Sequence, residues 1–172
     1  MLNILLGNQM SSYAEALLDF YRGEVLGEAV YSALLESARN NEERLKLGTL
    51  LQLETETKAW LRAPMVTHGV SLEEPPAARA EGIEIAGQVK SQSWPELMET
   101  LRHVVATEFI PRYQSHADAA KARSRADEEA VCVYMVEHEK SQVEFAQREL
   151  AGSAVAHSLE PLVRFLKYPI KR

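Results

Sequence analysis

Carboxylates that fall on apolar helical stripes are the residues of this chain best suited to chemistry, because a buried charge needs a partner or a metal. Glu24 and Glu28 stand four apart on one such stripe, and Glu54 lies between Leu50 and Leu61 on another. Glu108 follows Val104 and Val105, while Tyr134, Met135, His138, Gln142 and Phe145 trace a fourth stripe with Glu139 at its shoulder. Glutamate oxygens with one imidazole form a donor set that suits iron or manganese. A single glutamate of this kind is ordinarily a rim residue in a surface ion pair. Four stripes that each offer a ligand-type residue favour a common centre. Glu24 and Glu54 are 30 residues apart, as are Glu108 and His138, so two antiparallel hairpins could present both pairs at one level. Lys58 or Lys140 could instead balance the charge, with no metal bound.

The stripes require helices to carry them. Ser12 with Glu15 three residues later reads as a capping box, so the first helix is expected over 12–40. The second is expected over 42–62, ended by Pro64. Segment 63–93 is a long crossover, with a weak helix from Ala77 to Lys90 that contains Gly82 and Gly87. Ser93 with Glu96 caps a third helix over 94–123. Pro111 within it should bend it within about a turn of Glu108 and leave a carbonyl near Thr107 without its partner. The fourth helix is expected over 125–151, before Gly152, and a short C-terminal helix over 159–167. No stretch alternates as a strand does. The fold class expected is therefore all-α, a single domain over 1–172, with two helices, a crossover and two more helices as an antiparallel four-helix bundle.

Composition fits that reading. The 172 residues are 46% hydrophobic and 26% charged, enough for a buried core. A net charge of −6 argues against nucleic acid as a partner. Cys132 is the only cysteine, which excludes an internal disulfide and a cysteine-built zinc site. No run is long enough for a membrane span. Met1 to Gln9 lacks the basic start of a signal peptide, so a cytoplasmic location is expected. Composition leaves a homodimer open.

The order of elements is that of ferritin-like proteins, and several short motifs carry the resemblance further. Gly23-Glu24 with Tyr31 seven residues on, then Ala38-Arg39, resembles the first helix of rubrerythrins; the Gly-Glu pair and tyrosine are also similar to demethoxyubiquinone hydroxylases. Glu54-Thr55-Glu56-Thr57 stands where these families carry Glu-x-x-His, and Glu108 with Tyr113 resembles a rubrerythrin ligand and its following tyrosine. The run His138 to Ala146 is similar to that around the last rubrerythrin histidine. Thr57 replaces the first histidine of the motif, and Met135 the glutamate paired with His138. The alternative frame takes Glu137 as ligand and puts Lys140 in the histidine's place. The His138 frame is preferred because it keeps the apolar stripe.

The resemblance implies a metal site drawn from Glu24, Glu54, Glu108 and His138, with Glu28 and Glu139 as substitutes for a second ion. It implies an iron- or manganese-dependent oxidoreductase acting on oxygen, peroxide or a small molecule inside the bundle. The competing expectation is a non-catalytic bundle whose site has decayed and which serves in binding or assembly. A third is hydroxylation of a large substrate, which an apolar channel toward Glu54 would favour.

Overall fold

The computed structural model describes the backbone of residues 2–169 and the side chains of residues 13–169. The described residues are helical, with no strand among them. Helix α1 spans Leu2–Glu36 and α2 spans Asn41–Thr67; the crossover helix α3 spans Pro76–Val89. A third rod is made of α4 (Trp94–Val104), a π-helical turn (Val105–Phe109) and α5 (Ile110–Ala122). The chain ends with α6 (Ala126–Leu150) and α7 (Val155–Val163).

Contacts between rods fix their directions. Glu28 of α1 meets Lys58 of α2, and Tyr13 of α1 meets His68 beyond its end, so α1 and α2 run antiparallel. Trp94 meets Glu149, and Arg123 meets Glu128, so the third rod opposes α6. Lys46 pairs with Glu149 while Thr57 meets His138, which sets α2 against α6. Asp19 reaches Arg112 and His116, placing α5 beside α1. Each rod thus lies beside two neighbours, both joined to it by these contacts. Helix α3 lies along α1, and its close approach depends on Gly82: a Cβ there would stand 2.5 Å from the Leu26 carbonyl oxygen.

Several boundaries differ from the sequence expectation, each for a local reason. Helix α1 does not begin at Ser12; it runs through that residue from Leu2, and the Ser12 side chain lies outside those described. Pro64 does not stop α2, because a proline near a helix end forfeits one bond and the last turn continues to Thr67. The stop comes from Gly69 at φ +67°, where the Val70 N–H donates to the Met65 carbonyl and Gly69 N–H to that of Val66. This is a Schellman ending, with Met65 and Val70 both in the core. The third rod is not one α-helix over 94–123: the π turn interrupts it two residues before Pro111. The last helix spans 155–163 rather than 159–167. Trp60 is 41% exposed and lies over the Tyr134 ring at 4.1 Å. The other starts match expectation: Asn40 accepts from the Glu43 N–H at 2.9 Å, and Glu96 accepts from the Ser93 N–H at 2.7 Å.

The core divides into two apolar clusters. One gathers Tyr13, Leu17, Phe20, Leu61, Met65, Tyr113 and Met135; the other gathers Tyr31, Leu34, Leu50, Met98, Phe145 and Leu162. Along α1, α2 and α6 the residues between these clusters are Glu24, Glu54, Thr57, His138, Glu139 and Gln142, all buried. A polar layer therefore crosses the molecule at mid-height, sealed by apolar side chains on both sides.

Candidate metal centre

Three helices converge in that layer. Glu24 from α1, Glu54 from α2 and His138 from α6 each offer one donor atom, all within 4.8 Å of one another. His138 Nε2 lies 3.6 Å from Glu24 Oε1 and 3.5 Å from Glu54 Oε1. Donors about 2.1 Å from one centre stand up to about 4.2 Å apart when opposed, so a small inward movement would close this set on one ion. Both oxygens of Glu24 are buried without a hydrogen-bond partner. Leaving such groups unsatisfied costs free energy in any water-poor core, and a cation is what their donor chemistry fits.

Small residues let the ligands approach. A Cβ at Gly27 would stand 2.8 Å from the Glu54 Cδ and closer still to its Oε2. A Cβ at Gly23 would fall on the Tyr113 hydroxyl. The Gly-Glu pair of the first helix is therefore explained by the space that Tyr113 occupies.

Neighbouring side chains hold the donors. Thr57 Oγ1 lies 3.1 Å from His138 Nδ1. The Gln142 amide N–H donates to Glu54 Oε1 at 3.0 Å and its Oε1 accepts from the Tyr31 hydroxyl at 2.6 Å. Gln142 Nε2 also stands 3.4 Å from Glu139 Oε2. Burial, then the charges of Glu54 and Glu139, pushes the Glu24 carboxyl well above the usual carboxylate range. Burial pushes Glu139 up to about 8, with Glu54 adding to the rise and His138 and Arg112 opposing it. For His138, burial favours the neutral ring, but the bond to Glu54 and the charges of Glu54 and Glu139 outweigh it and the pKa rises. Without a cation the layer thus retains protons.

Of the six site residues read from the sequence, Glu24, Glu54 and His138 come together and Glu139 lies buried beside them. Glu28 does not join: its oxygens are held by Thr55, Lys58 and Arg79 at 2.5–3.0 Å. Glu108 does not join either and is exposed. The buried residues of the third rod run Met98, Val105, Tyr113, Ala117 and Ala120, and the step from Val105 to Tyr113 is eight residues where the step before it is seven. The π turn inserts the extra residue and swings Glu108 off the inner face. Glu137 and Lys140 pair with each other on the surface at 2.8 Å, which leaves His138 as the inward residue of α6. Lys58 is engaged by Glu28 and Glu74, and so balances those carboxylates rather than the core layer. Thr57 and Gln142 are the parts not assigned from sequence as supports. Their spacing of three from Glu54 and four from His138, on the same faces, is the signal that marks them.

Comparison with protein-family profiles, with curated proteins and with solved structures finds no match to the chain. Among the described residues no helix is long and apolar enough to cross a membrane.

Proposed function

We propose that this protein is a ferritin-like bundle that holds one iron or manganese ion between Glu24, Glu54 and His138, as an oxidoreductase acting on oxygen, peroxide or a small substrate. The observation that carries the reading is Glu24, fully buried with two unpartnered oxygens beside a second carboxylate and an imidazole. The fold supports it: two hairpins joined by a long crossover, with neighbouring rods antiparallel, is the ferritin-like connectivity. Three protein donors leave coordination positions open, and an ion held there would supply Lewis acidity and one-electron chemistry.

The chain's own residues perform the remaining tasks. Thr57 fixes the His138 ring from its far edge, and Gln142 orients Glu54. In the metal-free protein burial pushes Glu139 up to about 8, so its carboxyl holds a proton near neutral pH. The apolar clusters above and below keep water from those two sides of the layer, which strengthens the charge interactions within it.

A metal-free bundle is the second reading, favoured by Thr57 and Met135 at the two positions where the ferritin-like motif has histidine and glutamate. Metal content of protein purified without chelator, followed by titration of iron(II) or manganese(II) into wild type and Glu54→Ala, separates the two. The first reading expects about one ion per chain, a raised wild-type melting temperature and loss of that rise in the variant. If neither ion raises the wild-type melting temperature and Glu54→Ala is no less stable, the oxidoreductase reading is abandoned.

A further inference from the structure

A cavity of about 380 Å³ lies between α1, α3 and the third rod. That volume is within the range of small-molecule sites, about 300–1,000 Å³. Its walls are largely apolar, with Val30 and Leu34 of α1 facing Leu101 and Val105 of the third rod. Its inner end is different in kind: Glu54, Glu139 and Gln142 line it, so the cavity ends on the polar layer. At the solvent end both arginines are already neutralised, Arg22 by Glu81 at 2.8 Å and Arg112 by Asp19 at 3.0 Å. Glu108, also on the lining, has no ion pair or hydrogen bond among the described residues.

We infer that this cavity binds a neutral, mainly apolar small molecule with a hydroxyl-type donor at one end, the donor directed at Glu54 and Glu139. The apolar walls supply affinity through area removed from water. The inner carboxyl groups accept hydrogen bonds, which selects a donor end. A carboxylate ligand is disfavoured, because Glu54 lines the inner end and Glu108 the mouth, and the lining offers no unpaired cation. Glu108, which the ion cluster does not use, thus contributes to that selection. Only the naming of this molecule as the substrate rests on the metal reading; the binding itself does not.

The test uses the full chain with 1-octanol and octanoate as probes, read by calorimetry and by melting temperature. 1-Octanol is expected to bind and raise the melting temperature, with octanoate at least tenfold weaker. Leu101→Trp, which fills the cavity, should weaken 1-octanol at least tenfold; if that variant fails to fold by circular dichroism, Val30→Phe replaces it. Ser124→Gly should leave 1-octanol binding within about twofold of wild type, because Ser124 does not line the cavity. The inference is overturned if 1-octanol does not bind, if octanoate binds as tightly, or if a folded cavity-filling variant binds as wild type does. Binding of 1-octanol by a chain that takes up no metal would support the cavity assignment and reject the metal reading alone.

Discussion

Thr57 Oγ1 stands 3.1 Å from Nδ1 of His138, while Nε2 of the same ring faces Glu24 and Glu54. When Nδ1–H donates to Thr57, the lone pair of Nε2 points at the carboxylates, which is the tautomer a metal ligand needs. Thr57→Val keeps the shape and removes the hydroxyl. Iron or manganese affinity is expected to fall about 10- to 100-fold, with the fold intact by circular dichroism. Unchanged affinity in a titration would show that Thr57 only packs.

Glu24→Gln removes a buried carboxyl whose oxygens have no hydrogen-bond partner, while keeping its size. The wild-type carboxyl has its pKa raised above the unfolded value near 4.5 by burial and by Glu54 and Glu139. The folded state therefore holds this proton more tightly, and the stability it contributes is lost as pH rises toward the folded pKa. In metal-free protein Glu24→Gln is expected to be near neutral at pH 5 and clearly stabilising at pH 8.5. In the presence of manganese(II) the order reverses, because the variant cannot gain the ligand-bound stability. Melting curves at the two pH values, with and without metal, read all of this; a variant less stable than wild type without metal at pH 8.5 would refute the charge argument.

Most of the helices, and the burial of three residues of the candidate site, are legible in the sequence because periodicity reports directly on burial. Glu24, Glu54 and His138 sit on stripes of constant spacing, and constant spacing holds wherever the helix stays α-helical. Glu108 was misplaced because that condition fails at 105–109. A proline signals a break but does not say whether the chain bends or widens into a π turn. Glu28 could not be separated from Glu24 by spacing, since four residues along a helix keep the same face. What divides them is Lys58, Glu74 and Arg79, brought in by the crossover, a tertiary fact without local signature. The cavity was equally hidden, because it depends on how closely α3 approaches α1.

Ser124 has φ +57° at the end of α5, where its N–H donates to Lys121 and the Arg125 N–H to Ala120. This is the same ending that glycine makes at Gly69 and Gly152. A side chain in the left-handed region costs about 1–2 kcal/mol, while glycine adds unfolded-state entropy. Ser124→Gly is expected to stabilise by about 0.5–1 kcal/mol, seen as a higher urea midpoint with unchanged slope. A lower midpoint would mean that the serine side chain contributes more than its backbone strain costs.

Gly82 holds α3 against α1, and an added Cβ would meet the Leu26 carbonyl oxygen at 2.5 Å and the Ala29 Cβ at 2.8 Å. Backbone cannot yield as a flexible side chain can, so α3 must move outward. Gly82→Ala is expected to cost about 1–3 kcal/mol despite the better helix propensity of alanine. Gly87 has nothing within 4 Å of its Cβ position, and Gly87→Ala should stabilise by about 0.5–1 kcal/mol. Chemical denaturation of the pair decides, and equal effects of the two substitutions would rule out the contact as the cause.

Lys58 ties the crossover to the α1–α2 hairpin by pairing with Glu28 at 2.5 Å and Glu74 at 2.6 Å, and Arg79 joins the same two carboxylates. Hydrogen bonds from Lys58 and Arg79 hold Glu74 down at about 2. At Glu28 burial acts upward, but the bonds from Lys58, Thr55 and Arg79 outweigh it and its pKa also falls. Both folded-state values lie below the unfolded value near 4.5, so their contribution is complete above that pH and is lost as pH falls toward 2. Lys58→Met removes the central cation while keeping much of the chain's length. It should cost about 1–3 kcal/mol at pH 7, since Glu28 stays largely buried with fewer partners. It should also flatten the fall of melting temperature between pH 4.5 and 2.5, because the carboxylates are then less depressed. Parallel acid profiles for wild type and variant would show that acid sensitivity arises elsewhere, and that the clamp holds by packing rather than by charge.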